Sequence, residues 1–105
     1  MRFQWPRRVS IVVVTNGGEN IDVEFRFIPG WVEVWYRDRR IAVVDHGYLS
    51  LWLTKESSPL RAGDLELTVN ANGENRGQVS FCLSGIDAGT LSPFERERLL
   101  TAINA

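Results

Sequence analysis

Apolar and polar residues alternate along most of the chain up to Leu83, and this period of two predicts β-strands. The first two strands are expected to form a hairpin, because the turn formers of Asn16–Asn20 separate the β-branched run Val9–Thr15 from the alternating segment Ile21–Ile28. Val9–Thr15 is apolar on both faces, which predicts a central strand that is covered on both sides. The residues of the second strand predicted to face the core are Ile21, Val23, Phe25 and Phe27.

The stretch from Trp31 to Leu53 contains three of the four tryptophans and predicts three further strands. Trp31–Tyr36 and Ile41–Asp45 are expected to pair across a short turn, and Tyr48–Thr54 is expected to complete an antiparallel meander after a turn at His46 and Gly47. In this last strand the residues predicted to point inward are Leu49, Leu51 and Leu53, and those predicted to point outward are Tyr48, Ser50 and Trp52.

A polar connection that contains a proline, Lys55–Gly63, is long enough to let the chain cross to a new sheet or face. Two more half-buried strands are predicted after it, at Asp64–Val69 and Gln78–Ser84. The period then changes to that of a helix from Pro93 to about Asn104. Its start carries the capping box S-x-x-E, because Ser92 precedes the proline and Glu95 lies three residues after the serine.

These elements predict a mainly β protein of the α+β class. About seven antiparallel strands should form a bent sheet, a roll or a two-layer arrangement, with one C-terminal helix packed on it. We expect residues 1–105 to form one globular domain without internal repeats. The order of strands followed by one helix resembles the pleckstrin-homology superfold, which implies one sheet before Lys55 and part of a second sheet after it. A helix-covered open sheet and a small β-sandwich are the alternatives.

Composition narrows the class of protein. The chain is 44% apolar and 24% charged, as in ordinary soluble proteins, and no apolar run approaches the ~20 residues that cross a bilayer. We therefore expect no membrane partner. A single cysteine, Cys82, fits a reducing compartment and a cytoplasmic location. The net charge of −1 predicts no general attraction to nucleic acid.

Catalytic and metal chemistry finds little support in the sequence. The only histidine is His46, and Asp45 beside it would point the opposite way on a strand end, so an enzyme centred on this pair is the weakest hypothesis. No second histidine or cysteine pair exists for zinc, and no glycine motif predicts a nucleotide site. We expect no metal and no cofactor, with Cys82 as a small packed side chain.

An aromatic and arginine pattern remains. Trp31, Trp35 and Trp52 fall opposite the aliphatic sets of their predicted strands, with Tyr48 beside Trp52. These rings could cluster on one face near three arginines, Arg37, Arg39 and Arg40. Either they form a second packed layer, or part of the cluster is exposed and binds a partner, since Trp, Tyr and Arg dominate interface energies.

The partner would decide the function of such a face. Our first hypothesis is a non-catalytic domain that binds another protein or a second copy of itself through this face or by pairing of edge strands. The alternative is a single-stranded nucleic-acid binder that stacks bases on the aromatic rings. Its phosphate contacts would come from Arg37, Arg39 and Arg40, and further from Arg2, Arg7 and Arg8. Glu33, Asp38 and the negative net charge favour the protein partner.

Overall fold

The computed structural model describes residues 7–55, 59–70, 73–83 and 86–104. Within these residues the chain forms eight strands, two α-helices and one short 3₁₀ helix at Gly73–Asn75. The first group is β1 (Arg7–Thr15), β2 (Asn20–Ile28), β3 (Trp31–Tyr36), β4 (Arg39–Asp45) and α1 (His46–Lys55). The second group is β5 (Leu60–Ala62), β6 (Leu65–Val69), β7 (Val79–Leu83), β8 (Ile86–Leu91) and α2 (Pro93–Ile103).

The order of elements repeats, because four antiparallel strands and a helix are followed by four more strands and a second helix. All eight strands belong to one sheet in the order β4-β3-β2-β1-β8-β7-β6-β5. We call β1–β4 the first half-sheet and β5–β8 the second half-sheet. The sequence shows no repeat, since a meander specifies its strands by alternation and turns rather than by particular residues.

The two half-sheets meet at two seams. At one seam β1 pairs with β8 only through Val14–Thr90 and Thr15–Gly89. At the other, the amide N of Asp64 donates to the carbonyl O of Ile41 at 3.4 Å, so the curled sheet nearly closes on itself. A Cβ atom on Gly89 would lie 2.6 Å from the carbonyl O of Val14, which explains glycine at the first seam.

The core fills the inside of this curled sheet. Of the inward set predicted for the second strand, Val23, Phe25 and Phe27 are buried there and Ile21 is partly buried. Buried strand residues include Val23, Phe25, Phe27, Val32, Val34, Leu65, Leu67, Val79 and Phe81. The two helices add Leu49, Leu53, Leu99 and Ile103 to the same cluster. β1 is central as predicted, but only one of its faces is buried, because Val12 is half-buried and Val14 is 43% exposed.

The predicted strand Tyr48–Thr54 is wrong, because this segment belongs to α1. Asp45 caps the helix, with its Oδ1 accepting a hydrogen bond from the amide N of Tyr48 at 3.0 Å. Leu49, Trp52 and Leu53 are spaced i, i+3 and i+4 and are buried together, whereas Leu51 is 53% exposed. The alternating leucines therefore resembled a strand, although the same segment also fits the helical period.

Two strands were missed by the prediction of about seven. β5 lies inside the predicted connection Lys55–Gly63, and β8 lies between the last predicted strand and the terminal helix. The mainly β, α+β class is confirmed. The order of elements departs from the pleckstrin-homology pattern, because a helix follows each group of four strands.

The predicted terminal helix is confirmed as α2, with Ser92 as its N-cap and Pro93 in its first turn. The Ser92 Oγ accepts a hydrogen bond from the amide N of Glu95 at 3.3 Å. Glu95 is buried, and its Oε2 accepts a hydrogen bond from the amide N of Val12 at 3.0 Å. This carboxylate thus accepts a hydrogen bond from a β1 amide at a position where β8 no longer pairs with β1. Neither α1 nor α2 has the length and apolar character needed to traverse a bilayer.

Candidate interaction face on the first half-sheet

The outward side chains of the first half-sheet form a continuous face that the pairing registers define. Arg8 lies opposite Arg26, Arg26 opposite Glu33, and Glu33 opposite Val43. In the next row Glu24 lies opposite Trp35, which lies opposite Arg40. We call this surface the tryptophan face; its residues are Arg8, Glu24, Arg26, Trp31, Glu33, Trp35, Arg40 and Val43. The helices bury their apolar residues in the core on the opposite side of the sheet.

Trp35 is held at the centre of this face by two neighbours. The guanidinium carbon of Arg26 lies 3.9 Å from the ring centroid of Trp35, within the range of a cation–π interaction. The indole Nε1 of Trp35 donates a hydrogen bond to Oε1 of Glu33 at 2.9 Å. The ring is therefore fixed both over its face and at its edge.

Glu33 links Trp35 to the edge strand. Its second carboxylate oxygen, Oε2, accepts a hydrogen bond from Nη1 of Arg40 at 3.2 Å. The hydrogen bond from Trp35 lowers the pKa of Glu33 most; burial raises it, and the hydrogen bond and charge of Arg40 and the charge of Arg26 lower it further. The balance is a lowered pKa, so Glu33 is ionised at neutral pH and keeps both contacts.

Glu24 organises the other side of the face. It accepts a hydrogen bond from Nε of Arg26 and forms a longer ion pair with Arg8, whose Nε lies 3.9 Å from its Oε1. The acidic partners are less exposed than the outer arginines. The Arg8 side chain is 54% exposed against 30% for Glu24, and that of Arg40 is 55% exposed against 18% for Glu33. Cationic groups therefore form the outermost layer of this face.

Trp31 supplies the apolar part of the surface. It is 50% exposed, and its cross-strand partners are Ile28 on β2 and Asp45 on β4. Val43, which is diagonal to Trp31 on β4, is 40% exposed. An exposed tryptophan beside an exposed valine is the composition found in interface centres rather than on ordinary polar surface.

The structure brings together only some of the predicted site residues. Trp31, Trp35 and Arg40 lie on one face. The alternation predicted this for the two tryptophans, whereas a register shift between Val34 and Trp35 places Arg40 opposite Trp35. Trp52 is not on this face, because it is 4% exposed and belongs to the core. Tyr48 is 42% exposed but lies on α1 and not on a strand of this face.

Two of the predicted arginines lie at the hairpin tip, away from the tryptophans. The guanidinium carbon of Arg37 lies 5.1 Å from the ring centroid of Tyr36, whose side chain points to the opposite side of the sheet. Arg39 pairs with Tyr36 in the register. Arg37 and Asp38 have φ angles of 51° and 59°, as a two-residue turn of type I′ requires.

Arg26 and Glu24 were missed by the sequence analysis. The signal was available, because the turn at Pro29 and Gly30 fixes the register that places Arg26 opposite Glu33. Of the arginines proposed for phosphate binding, Arg7 donates a hydrogen bond to the carbonyl O of Ala102 on the inner side of β1. Arg2 lies outside the described residues.

The Asp45 and His46 pair is part of the scaffold. Asp45 caps α1, and the His46 ring packs edge-on against Phe27 with the ring centroids 6.5 Å apart. The described residues contain no group of three or more His, Cys, Asp or Glu that could hold a metal ion. Cys82 is exposed rather than packed, because it lies on the outward face of β7 opposite Glu66.

Two surface cavities lie away from the tryptophan face. One, of about 460 Å³, lies between β1 and α2 and is lined by Val9, Phe94 and Thr101 among others. The other, of about 340 Å³, is lined by residues of β5–β7, including Cys82. Neither of these two cavities is lined by Trp31, Trp35 or His46.

Comparison with known proteins adds one likeness in fold. No protein-family model matches the chain, and no curated protein matches it significantly. The solved structure of SsgB, in which mutations correlate with longitudinal cell division during sporulation of Streptomyces coelicolor, superposes with a TM-score of 0.53. The two chains are 16% identical, and the match covers 98% of this chain and 91% of that one. At this identity the likeness shows a shared fold and no more.

Proposed function

We propose that this chain is a non-catalytic protein-interaction domain and that the tryptophan face is its binding surface. The observation that carries the proposal is a half-exposed Trp31 on the same side of β3 as Trp35, whose ring is already fixed by Arg26 and Glu33. A surface held in one conformation before binding loses less side-chain entropy when a partner docks. Trp and Arg are also the residues that most often dominate interface energies.

Two further observations support this function over the alternatives. Asp45 is engaged in capping α1, which removes the base-orienting role that an enzyme centred on His46 would need. Arg26 and Arg40 are paired with Glu24 and Glu33, which reduces the positive charge available for a phosphate backbone. The partner is another protein or a second copy of this chain.

The likeness to SsgB directs the search for that partner. Because mutations in SsgB correlate with longitudinal cell division, proteins of cell division are the first candidates to test. We also propose a cytoplasmic location, since the exposed Cys82 is the only cysteine of the chain and has no internal partner for a disulfide.

Site-specific photo-crosslinking in cells tests the binding surface. A photoreactive phenylalanine analogue at Val43 should give a protein adduct, whereas the same analogue at Thr68, an exposed position on the outer side of the second half-sheet, should give none. Trp31→Ala should abolish the adduct, and the matched control Phe94→Ala, which removes a 70% exposed aromatic elsewhere, should preserve it.

Each outcome of this experiment has one meaning. An adduct of twice the monomer mass identifies self-association, and sedimentation of the purified chain should then show a dimer that Trp31→Ala disrupts. A nuclease-sensitive adduct would replace this proposal with nucleic-acid binding. Equal adducts at Val43 and Thr68, or no adduct at either position, would overturn it.

A further inference from the structure

The edge of β1 that faces α2 has no strand partner over most of its length. β8 pairs with β1 only at Val14 and Thr15, and the chain then leaves the sheet to form α2. Residues 7–12 of β1 therefore have β2 on one side and α2 on the other. An unpaired strand edge presents backbone N–H and C=O groups with which another extended chain can pair.

The contact between α2 and β1 shows which backbone groups lie on this edge. The amide N of Val12 points to α2, because it donates a hydrogen bond to Oε2 of Glu95 at 3.0 Å. Successive residues of a strand direct their backbone groups alternately to its two edges, so those of Ser10 and Arg8 point the same way as those of Val12. Within the part of the chain that the structure describes, neither Ser10 nor Arg8 has a backbone hydrogen bond on this edge.

Two contacts hold β1 and α2 at a fixed spacing. At one end Glu95 accepts the hydrogen bond from Val12. At the other end the guanidinium of Arg7 donates to the carbonyl O of Ala102, and its central carbon lies 5.5 Å from the ring centroid of Phe27. The strand between these contacts is roughly 17 Å long, at about 3.4 Å per residue. The groove between them is therefore built before a ligand binds, which lowers the entropic cost of binding.

The cavity of about 460 Å³ between β1 and α2 opens on the inner side of this groove. Its walls include Val9 from β1 and Thr101 and Ala102 from α2. Val9 is half-buried and lies opposite the buried Phe25, which places its side chain on the inner side of the sheet. An apolar side chain that entered the cavity would cover Val9 and remove its surface from water.

The edge and the cavity together select an extended polypeptide. A segment antiparallel to β1 would exchange two hydrogen bonds with Ser10. Side chains directly opposite each other lie on the same side of a sheet, so the residue opposite Val9 would point into the cavity. A nucleic acid or a small apolar molecule lacks the alternating donors and acceptors that match this edge. Because β1 is also the border strand of the tryptophan face, the added segment would continue the same half-sheet.

We infer that the groove between β1 and α2 is a second binding site, which takes an extended segment of a partner protein as an added strand with an apolar side chain in the cavity beside Val9. The segment would pair over about five residues, because the contacts at Arg7 and Val12 limit the groove. This inference goes beyond the proposed function, since the groove lies at the edge of β1 and not among the outward side chains of the tryptophan face.

A phage-displayed library of random peptides of about seven residues tests the inference. It is selected on the purified full chain and counter-selected on Ser10→Pro. Proline removes the free N–H of Ser10 but no hydrogen bond to β2, because that N–H points away from β2. The enriched peptides should alternate apolar and polar residues. A synthetic copy of the most enriched peptide should bind the parent chain about tenfold more tightly than Ser10→Pro, and salt should change its affinity little.

Further variants separate binding from folding. Ser10→Ala keeps the amide and should bind the peptide as the parent does. Thr101→Trp, at an exposed position of α2, should fill the cavity and weaken the peptide about tenfold even if Ser10→Pro disturbs the strand. In NMR hydrogen exchange the Ser10 amide should exchange quickly in the free chain and slowly in the complex, whereas the Ile11 amide, which points to β2, should exchange slowly in both.

The outcomes that contradict the inference are distinct. No enrichment of peptides, equal affinity for the parent chain and Thr101→Trp, or a Ser10 amide that stays unprotected in the complex would overturn it. A dimer in sedimentation whose Ser10 amide exchanges slowly without peptide would assign this edge to a second copy of the chain and would also overturn it. Photo-crosslinking at Val43 tests the proposed function separately, so either proposal can fail without the other.

Discussion

Each half-sheet consists of four antiparallel strands, but the outer faces of the two half-sheets differ in amino-acid composition. The first carries the tryptophan face, with two tryptophans and three arginines. The second carries what we call the hydroxyl face, which consists of Arg61, Glu66, Thr68, Ser80, Cys82 and Thr90. Its central row is Thr68, Ser80 and Thr90, which pair across three strands, and its one described ion pair joins Arg61 to Glu66.

The hydroxyl face shows which types of residue are sufficient on the outer side of such a half-sheet. Small β-formers and one exposed ion pair suffice to keep the second half-sheet polar outside and apolar inside. Trp31 and Trp35 lie outside the buried core, whereas Trp52 belongs to it. Packing in the core therefore explains Trp52, whereas the proposed function offers a reason for the two outer tryptophans.

The largest expected effect tests whether the two faces belong to one folding unit. Gly89→Ala should destabilise the protein by about 3 kcal/mol, because the new Cβ would lie 2.6 Å from the carbonyl O of Val14 at the seam. Thermal unfolding followed by tryptophan fluorescence and by far-UV circular dichroism should show one shared transition at a lower temperature.

Gly17→Ala is the control for this substitution. Its new Cβ would meet only the Thr15 Oγ1, at 3.9 Å, so the control should unfold close to the parent. Two separate transitions in Gly89→Ala would mean that the half-sheets unfold independently, and a loss as small as that of Gly17→Ala would contradict the close approach at the seam.

The second-largest effect tests the hydrogen bond between α2 and β1 near the same seam. Glu95→Ala should cost about 2 kcal/mol, because the amide of the half-buried Val12 loses its acceptor. Glu95→Gln retains a carbonyl oxygen and should restore much of the loss. Glu97→Gln, on the exposed side of the same helix, should have little effect in urea unfolding, and a comparable loss there would point to helix charge instead of the seam.

Much of the fold and part of the face followed from the sequence, because both depend on alternation. Trp31 and Trp35 were placed together by the period of two in β3, whereas Arg40 lies opposite Trp35 because of a register shift that alternation does not predict. Trp52 was assigned to the wrong side because the leucines around it fit both the period of a strand and that of a helix. The segment forms a helix that packs Leu49, Trp52 and Leu53 against the core.

The strand β8 was missed because its own residues show little alternation. It reads IDAGTL and includes Gly89, whose lack of a side chain permits the seam but weakens any alternation. Such a strand is specified by its neighbours β1 and β7 and not by its own pattern. The contact of Arg26 with Trp35 was missed for another reason, because it follows from the register of β2 against β3, which the turn at Pro29 and Gly30 sets.

A smaller effect compares how strongly neighbouring side chains interact within each of the two faces. A double-mutant cycle with Arg26→Gln and Trp35→Thr should give a coupling energy of about 0.5 to 1 kcal/mol, since the guanidinium lies 3.9 Å from the ring centroid. The corresponding cycle with Arg61→Gln and Glu66→Gln on the hydroxyl face should give little coupling, because both side chains are exposed. Equal coupling on both faces would remove the claim that the tryptophan face is more rigid.

The smallest effect is a pH dependence confined to the tryptophan face. Because the hydrogen bond from Trp35 lowers the pKa of Glu33, this carboxylate stabilises the folded chain above the pKa of the unfolded state. That contribution is lost as the pH falls through the lower folded-state pKa, in the region below about pH 4. Glu33→Gln should therefore flatten the acid side of a plot of unfolding free energy against pH, and Trp35→Phe, which removes the indole donor, should flatten it in part. If Trp35→Phe left the acid side as steep as in the parent, the indole hydrogen bond would not be the main cause of the lowered pKa, and the fixed position of Trp35 would then rest on Arg26 alone.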